Sequence, residues 1–196
     1  MASRAEARSR PRGRVLSRED WIRVAIDVVV RGGAEALRID RLCEELDVTK
    51  GSFYHHFQNR DDLVEAIAEY WARTQPAQVI ALLGDLGDAP LEKLKLLIRL
   101  FTDLDIGTRD HAMRAFGASE ARIAAAVDEA DKLVLSTLTK ILESLGFSTA
   151  DARAFAKIMM FSAIGFYTAP RLAGRNGARE VGKRILDLMM EHANVR

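Results

Sequence analysis

The sequence predicts an all-α fold, and three observations carry that prediction. Apolar residues recur at spacings of three and four, most clearly at Ile123, Val127, Ala130, Val134, Leu138, Ile141 and Leu145. Alternation of the kind a half-buried strand needs is scarce. The breaks between periodic stretches carry helix punctuation, with Ser, Thr or Asn before a stretch and Gly after it. The chain has 196 residues, 48% of them hydrophobic, enough to bury a sizeable core.

Read in order, residues 1–16 lack apolar periodicity and carry Arg4, Arg8, Arg10, Arg12 and Arg14, which predicts a disordered basic arm. Ser17 with Asp20 predicts a capping box and a first helix through Trp21, Ala25, Val28 and Val29, ended by Gly32-Gly33. A short second helix fits Ile39 to Leu46, and Asp47-Val48 makes a tight turn. Thr49 suits the N-cap of a third short helix, in which Phe53 and Phe57 share one side. Asn59 caps a fourth helix that reaches about Leu83, and Pro76 is expected to kink or break it near Thr74.

Beyond the Gly84–Asp88 loop, Pro90 opens a helix over roughly 90–105, and a short helix follows at about 108–118. The long helix from Ile123 stops at Gly146. Ser148 or Thr149 caps the next, which runs to about Leu172 or ends slightly earlier at Pro170. A turn at Gly174-Arg175-Asn176-Gly177 precedes a last amphipathic helix carrying Val181, Ile185, Leu188 and Met189. About nine helices are expected.

Composition excludes several classes. The formal net charge is +1, so bulk charge points to neither nucleic acid nor membrane. One cysteine, Cys43, rules out an internal disulfide framework or a thiolate-rich zinc site and reads as a small core residue. The apolar run Ala154–Ala169 is too short for a membrane span and is interrupted by Lys157. The arginine-rich start is followed by Ser17-Arg18-Glu19-Asp20 rather than an apolar run, so no signal peptide is expected and the cytoplasm is the expected location. No Gly-rich phosphate loop, nucleophile elbow or paired carboxylate and histidine arrangement is present, and the chain is not expected to be an enzyme. His55-His56 have no Cys, Asp or Glu at ligand spacing, so neither a metal nor another cofactor is expected.

The second and third helices form a helix-turn-helix pattern. Two short helices joined by a tight turn pack their apolar faces on the first helix and leave the other face of the third free for a major groove. That face carries Lys50, Ser52, Tyr54, His55 and His56, a set of cation, hydroxyls and imidazoles suited to phosphate oxygens and base edges. Gly51 allows close approach, and Arg60 adds a cation at the start of the fourth helix. Charge is distributed accordingly. Residues 19–48 hold four arginines against eight acids, whereas residues 49–60 hold Lys50 and Arg60 and no acid. A duplex-facing edge clear of carboxylates is what phosphate repulsion requires.

The stretch Leu42-Cys43-Glu44-Glu45-Leu46-Asp47-Val48-Thr49-Lys50-Gly51-Ser52-Phe53-Tyr54-His55-His56-Phe57, followed by Asn59-Arg60-Asp61-Asp62-Leu63, resembles the signature of the TetR/AcrR-type family of transcriptional regulators. The resemblance covers roughly Ser17 to Trp71. It implies an N-terminal three-helix helix-turn-helix domain and a C-terminal helical ligand-binding and dimerisation domain. The corresponding division is 1–16 for the basic arm, 17–63 for DNA binding and 64–196 for effector binding and dimerisation. It also implies that Lys50, Gly51, Ser52, Tyr54 and His55 sit at the groove, that Tyr54, His56 and Arg60 contact phosphate, and that Thr49 caps the recognition helix. Two positions depart from the family pattern. Asp47 stands where glycine is frequent, and aspartate tolerates left-handed geometry. Arg38 stands where a small hydroxyl residue often caps the second helix; it cannot cap in that way but can reach a phosphate.

In the C-terminal half, Phe101, Met113, Phe116, Met159 and Phe166 belong to an aromatic and methionine-rich set that reads either as plain core or as the lining of an apolar pocket. Asp105 or Arg114 would orient a polar ligand group there. The last two helices, Thr149–Leu172 and Ala178–Ala193, are more apolar than one bundle face needs, and the resemblance implies that they pair across a two-fold axis. The expected function is a homodimeric, sequence-specific DNA-binding regulator, a repressor released from a palindromic operator by a small, largely apolar effector. The alternative is a helical protein that binds hydrophobic ligands with no DNA role. The arginine arm is either a solubilising leader or a minor-groove contact.

Overall fold

The computed structural model describes residues 16–103, 106–173 and 177–194. The arm as far as Val15, Asp105, and all of the expected 174–177 turn but Gly177 therefore lie outside the described residues. Leu16, read with the arm, packs against the first apolar core. The described residues form nine helices of at least seven residues, one of four and a three-residue 3-10 turn at Ala34–Ala36, with no strand among them. In order they are α1 (Arg18–Gly32), α2 (Ile39–Leu46), α3 (Lys50–His56), α4 (Arg60–Gly84), α5 (Pro90–Asp103), α6 (Ile106–Gly117), α7 (Ala121–Ser144), α8 (Thr149–Thr168), the four-residue α9 (Pro170–Ala173) and α10 (Gly177–Asn194). No described helix is long and apolar enough to cross a membrane.

Local chemistry sets most of the boundaries. Ser17 and Asp20 form a reciprocal capping box at the start of α1. Asp47 closes α2 in the left-handed region at φ 54°, so the aspartate supports the turn where glycine is more usual. Gly146, at φ 91°, ends the α7 stretch, and the Ser148 hydroxyl accepts from the Asp151 amide to open α8. The α8 helix ends at Thr168 and Pro170 begins α9, so the earlier of the two expected ends applies. Two expectations change. Thr49 holds the N-cap position of α3 with extended backbone, but its side chain makes no capping hydrogen bond. Pro76 neither breaks nor ends α4, which continues for two more turns to Gly84. The proline ring is buried, and α4 and α7 form the most extensive helix pair in the described structure. Tertiary packing therefore holds α4 together across the amide that proline lacks.

Two apolar cores result. The first gathers Trp21, Ile26, Phe53, Phe57, Leu63, Ile67 and Trp71 from α1, α3 and the first half of α4, and adds Met113 and Phe116 of α6 and Ile123, Val127 and Ala130 of α7. The second gathers Leu83, Leu94, Leu97, Leu138, Leu142, Ala156 and Met189 from α4, α5, α7, α8 and α10. Both α4 and α7 run through the two cores.

Two polar devices fix the helices that matter for the surface. At the end of α3, Arg18 donates from Nη1 to the His56 carbonyl at 3.1 Å and from Nη2 to Asp62 Oδ1 at 2.8 Å. Its guanidinium lies 4.5 Å from the centre of the Phe57 ring. One arginine thus ties the starts of α1 and α4 to the end of α3 and satisfies a terminal carbonyl. Asp62 also accepts from the Gln58 amide at 2.9 Å. That hydrogen bond, with Arg18 beside it, holds the Asp62 carboxyl below the usual carboxylate range. Farther along, Tyr167 of α8 lies across Gly107 of α6 and donates its hydroxyl to the Phe101 carbonyl at 2.5 Å. A β-carbon at Gly107 would stand 1.7 Å from the Tyr167 ring.

Asp62 has a depressed pKa in the folded state, so its stabilising contribution is present above the ordinary carboxylate range and is lost as pH falls below it. Asp62→Asn is expected to lower stability at pH 7 by about 1–2 kcal/mol and to remove that part of the acid-side decline, both read from urea unfolding across pH. Gly107→Ala is expected to cost about 1–3 kcal/mol through overpacking against Tyr167, seen as a lower urea midpoint with an unchanged m-value.

Candidate nucleic-acid interface

Helix α3 is amphipathic over only seven residues, and its two faces differ completely. Phe53 is fully buried and Phe57, just past the helix, nearly so. Trp21 meets Phe53 edge to face at 5.5 Å, and Phe53 meets Phe57 at 5.4 Å. These rings fix the rotation of α3 about its own axis. Helical periodicity then places Lys50, Gly51, Tyr54 and His55 outward, and all four are exposed. Tyr54 stands 56% exposed although it is a large aromatic. A β-carbon at Gly51 would approach nothing nearer than the Thr49 hydroxyl at 3.5 Å. Its own packing therefore does not demand glycine, and the bare backbone faces outward.

The remaining expected residues divide. Ser52 is half-buried at the margin of this face. His56 is half-buried, and its ring lies 5.2 Å from that of His55 and 6.3 Å from that of Trp21, on the seam between α1 and α3. Arg38 occupies the N-cap position of α2, exposed and without a capping hydrogen bond. Thr49 is exposed just before α3. Arg60 is partly committed elsewhere, since its Nε donates to the Leu37 carbonyl at 3.1 Å. It thereby pins the start of α4 to the loop before α2. The buried thiol of Cys43 is pushed up in pKa by burial.

One residue on this surface is not legible from spacing. Asp40, in the first turn of α2, reaches Lys50 with Oδ1 2.5 Å from Nζ. The shared hydrogen bond lowers the Asp40 pKa and raises that of Lys50. Residues 49–60 contain no acid, yet the fold brings a carboxylate to that edge from α2.

The candidate ligand residues also divide. Phe101, Met159 and Phe166 line an apolar cavity of about 40 Å³ among α5, α7, α8 and α10. Met113 and Phe116 do not line it; both are buried in the first core, against the helix-turn-helix. A second cavity of about 60 Å³ lies among α4, α5, α6, α7 and α8, with Trp71, Tyr167 and Arg114 in its wall. It shares Phe101, Val134, Met160 and Ala163 with the first. Arg114 donates to Asp110 at 2.6 Å and to Asp131 at 2.6 Å. Burial opposes its charge, and the two carboxylates outweigh that and raise its pKa. Burial pushes the Asp110 carboxyl up, against Arg114.

Helix α6 is the element that sequence spacing undervalues. One face sends Met113 and Phe116 into the first core, where α6 packs on α1, and another carries Gly107, Asp110 and Arg114 to the second cavity. Arg109 of α6 pairs with Asp27 of α1 at 2.6 Å, and Arg122 of α7 donates to the Asp61 carbonyl of α4 at 3.2 Å.

Comparison with known proteins agrees with this geometry. Residues 22–67 match the family described as bacterial regulatory proteins, tetR family. The transcriptional regulator AcuR of Cereibacter sphaeroides is 34% identical over 100 residues, a match covering 47% of this chain and 44% of that protein. The chain thus aligns with less than half the length of that relative. Among solved structures, a TetR transcriptional regulator from Legionella pneumophila has a TM-score of 0.73 at 17% identity, covering 88% of this chain and 96% of the other. A TetR-family regulator from Agrobacterium tumefaciens has a TM-score of 0.71 at 20% identity, covering 87% and 95%. BioQ, solved with its double-stranded DNA operator, has a TM-score of 0.51 at 21% identity, covering 92% and 99%. At these identities the structural likeness is one of fold. The segment that matches the tetR family holds α2, α3 and the Arg18-stapled start of α4, so the likeness to that family rests on the helix-turn-helix.

Proposed function

We propose that the chain is a homodimeric, sequence-specific DNA-binding repressor released from a palindromic operator by a small, largely apolar effector. The observation that carries this reading is the outward face of α3. Lys50, Gly51, Tyr54 and His55 are exposed together on a helix whose other face is locked by Trp21, Phe53 and Phe57. A large tyrosine that is more than half exposed beside a bare glycine backbone suits a groove. Ser52, His56, Arg38, Thr49 and Arg60 flank it. On this reading residues 17–63 read DNA and residues 64–196 bind effector and dimerise. The cytoplasm is the corresponding location.

Dimerisation is supported by α8 and α10, which pack on each other and leave apolar side chains outside. Ile158, Val181 and Leu188 are exposed, and Phe161 is 69% exposed. Ala154, Ile158, Phe161 and Gly165 fall on one exposed stripe of α8. A second copy covering these faces would set two α3 helices at half-site spacing.

Effector control is supported by the two cavities. At about 40 and 60 Å³ they are smaller than the roughly 150 Å³ that accommodates benzene. An effector of more than a few atoms must therefore displace the helices that line them. Helix α4 joins both halves covalently, and α6 adds a second lever by joining the cavity wall to the core that α1 and α3 share. A conformation that admits the effector is one in which α3 is displaced, and differential affinity shifts the population toward it.

The test begins with selection of bound duplexes from a random pool, which is expected to return a palindrome. On that operator, Lys50→Ala combined with Tyr54→Ala is expected to lower affinity at least about 30-fold in a gel shift, each base or phosphate contact contributing about 1–3 kcal/mol. Full operator affinity in the double variant would overturn the assignment of α3. Failure to select any duplex would leave the hydrophobic-ligand-binding reading in its place.

A further inference from the structure

Attraction of a regulator to DNA of arbitrary sequence rests on phosphate and cation alone, whereas recognition adds contacts to base edges. A lysine on the recognition face serves both, because its ammonium is a point charge that any phosphate can use. Lys50 is the first residue of α3 and is well exposed, but its charge is already matched by Asp40 at 2.5 Å. Both side chains are more than half exposed, at 62% and 55%. The pair thus stands on the surface and bridges the starts of α2 and α3. Arg38 is the other cation acting on Asp40. A phosphate that approaches Lys50 meets the Asp40 carboxylate at a similar distance, and attraction and repulsion largely cancel. Exposed ion pairs are weak. An acceptor in fixed geometry, such as the O6 and N7 edge of guanine, can therefore still take Lys50 away from Asp40.

We propose, on the basis of the DNA-binding reading above, that Asp40 is a specificity-determining residue. It neutralises Lys50 toward phosphates of arbitrary sequence, so that Lys50 contributes only where the duplex offers it a base-edge acceptor. Asp40 acts through Lys50 and is a positioning residue rather than a base contact. Its effect is to suppress background binding more than operator binding.

The experiment uses the full chain and measures anisotropy of a labelled random-sequence duplex and of the selected operator, from about 50 to 200 mM KCl. Asp40→Asn is expected to tighten binding to the random duplex by about three- to tenfold and to steepen its salt slope by about one released counterion. Operator binding tightens by less, so the ratio of operator to random affinity falls. Asp40→Glu keeps the charge and is expected to stay near wild type on both duplexes. Adding Lys50→Ala to Asp40→Asn is expected to abolish the gain. Circular dichroism and melting check the fold, because Asp40 also favours the start of α2. Lys50→Ala alone supplies a reading that does not depend on Asp40 variants. It leaves the Asp40 charge uncompensated and is expected to weaken random binding by about three- to tenfold and operator binding by more, about tenfold or above. Unchanged or weaker random binding in a folded Asp40→Asn protein overturns the proposal, as does equal tightening on both duplexes. A wild-type protein with no salt-dependent duplex binding overturns the DNA-binding reading itself, not the role of Asp40 alone.

Discussion

The structure depends on one apolar seam, where Met113 and Phe116 of α6 and Ile123, Val127 and Ala130 of α7 complete the core begun by Trp21, Phe53 and Phe57. A unit of residues 17–63 falls short of the about 60 residues at which a small domain buries enough surface to be even marginally stable. Met113 is fully buried and Phe116 nearly so. The core that α1 and α3 share is thus completed by residues some 55 to 110 positions away in sequence. The recognition surface is held to the rest of the chain as firmly as a core is held to itself, because the seam is core. The Arg109–Asp27 pair and the Arg122 hydrogen bond to Asp61 lie at the margin of this contact. They contribute less, because exposed ion pairs are weak, but they fix register.

This seam connects chemistry at one end of the molecule to geometry at the other. The second cavity is bounded by α6, and α6 also forms the floor of the first core. Close packing transmits displacement, since a filled core has few voids to absorb it. Tyr167 pressed on Gly107 adds a further rigid contact between α8 and α6. On the DNA-binding reading proposed above, the exposed edge of α3 balances two demands. It must attract a polyanion, and it must not hold every stretch of that polyanion alike. The Lys50–Asp40 pair fits both demands, as does the use of Tyr54 and a bare glycine, which bring shape and hydrogen bonding without net charge.

What the sequence made legible was local. Ser17 with Asp20, the left-handed Asp47, Asn59, Ser148 and Gly146 act within four residues of the backbone they shape, and each acts where its residue type predicted. The uninterrupted period from Ile123 to Leu145 made α7 clear for the same reason. The outward residues of α3 were legible because Phe53 and Phe57 define the inward face. What was not legible was long-range. Pro76 carries a strong local signal for a break, and packing along α7 overrides it. Met113 and Phe116 have the composition of a pocket lining, and only the path of α6 assigns them to the other core. Arg60 turns to the Leu37 carbonyl, and Asp40 comes to Lys50 across the turn. Periodicity does not encode partners supplied by another helix.

The account holds that α3 meets duplex DNA while resting on a core shared with α6 and α7. Native-state hydrogen exchange of the protein, with and without the selected duplex, tests that claim most directly. Slowed exchange is expected in α3 and α1, and in the same measurement along α6 and the first half of α7, because these segments open as one unit. Protection confined to α8 and α10, or protection of α3 with no change in α6 and α7, would contradict it.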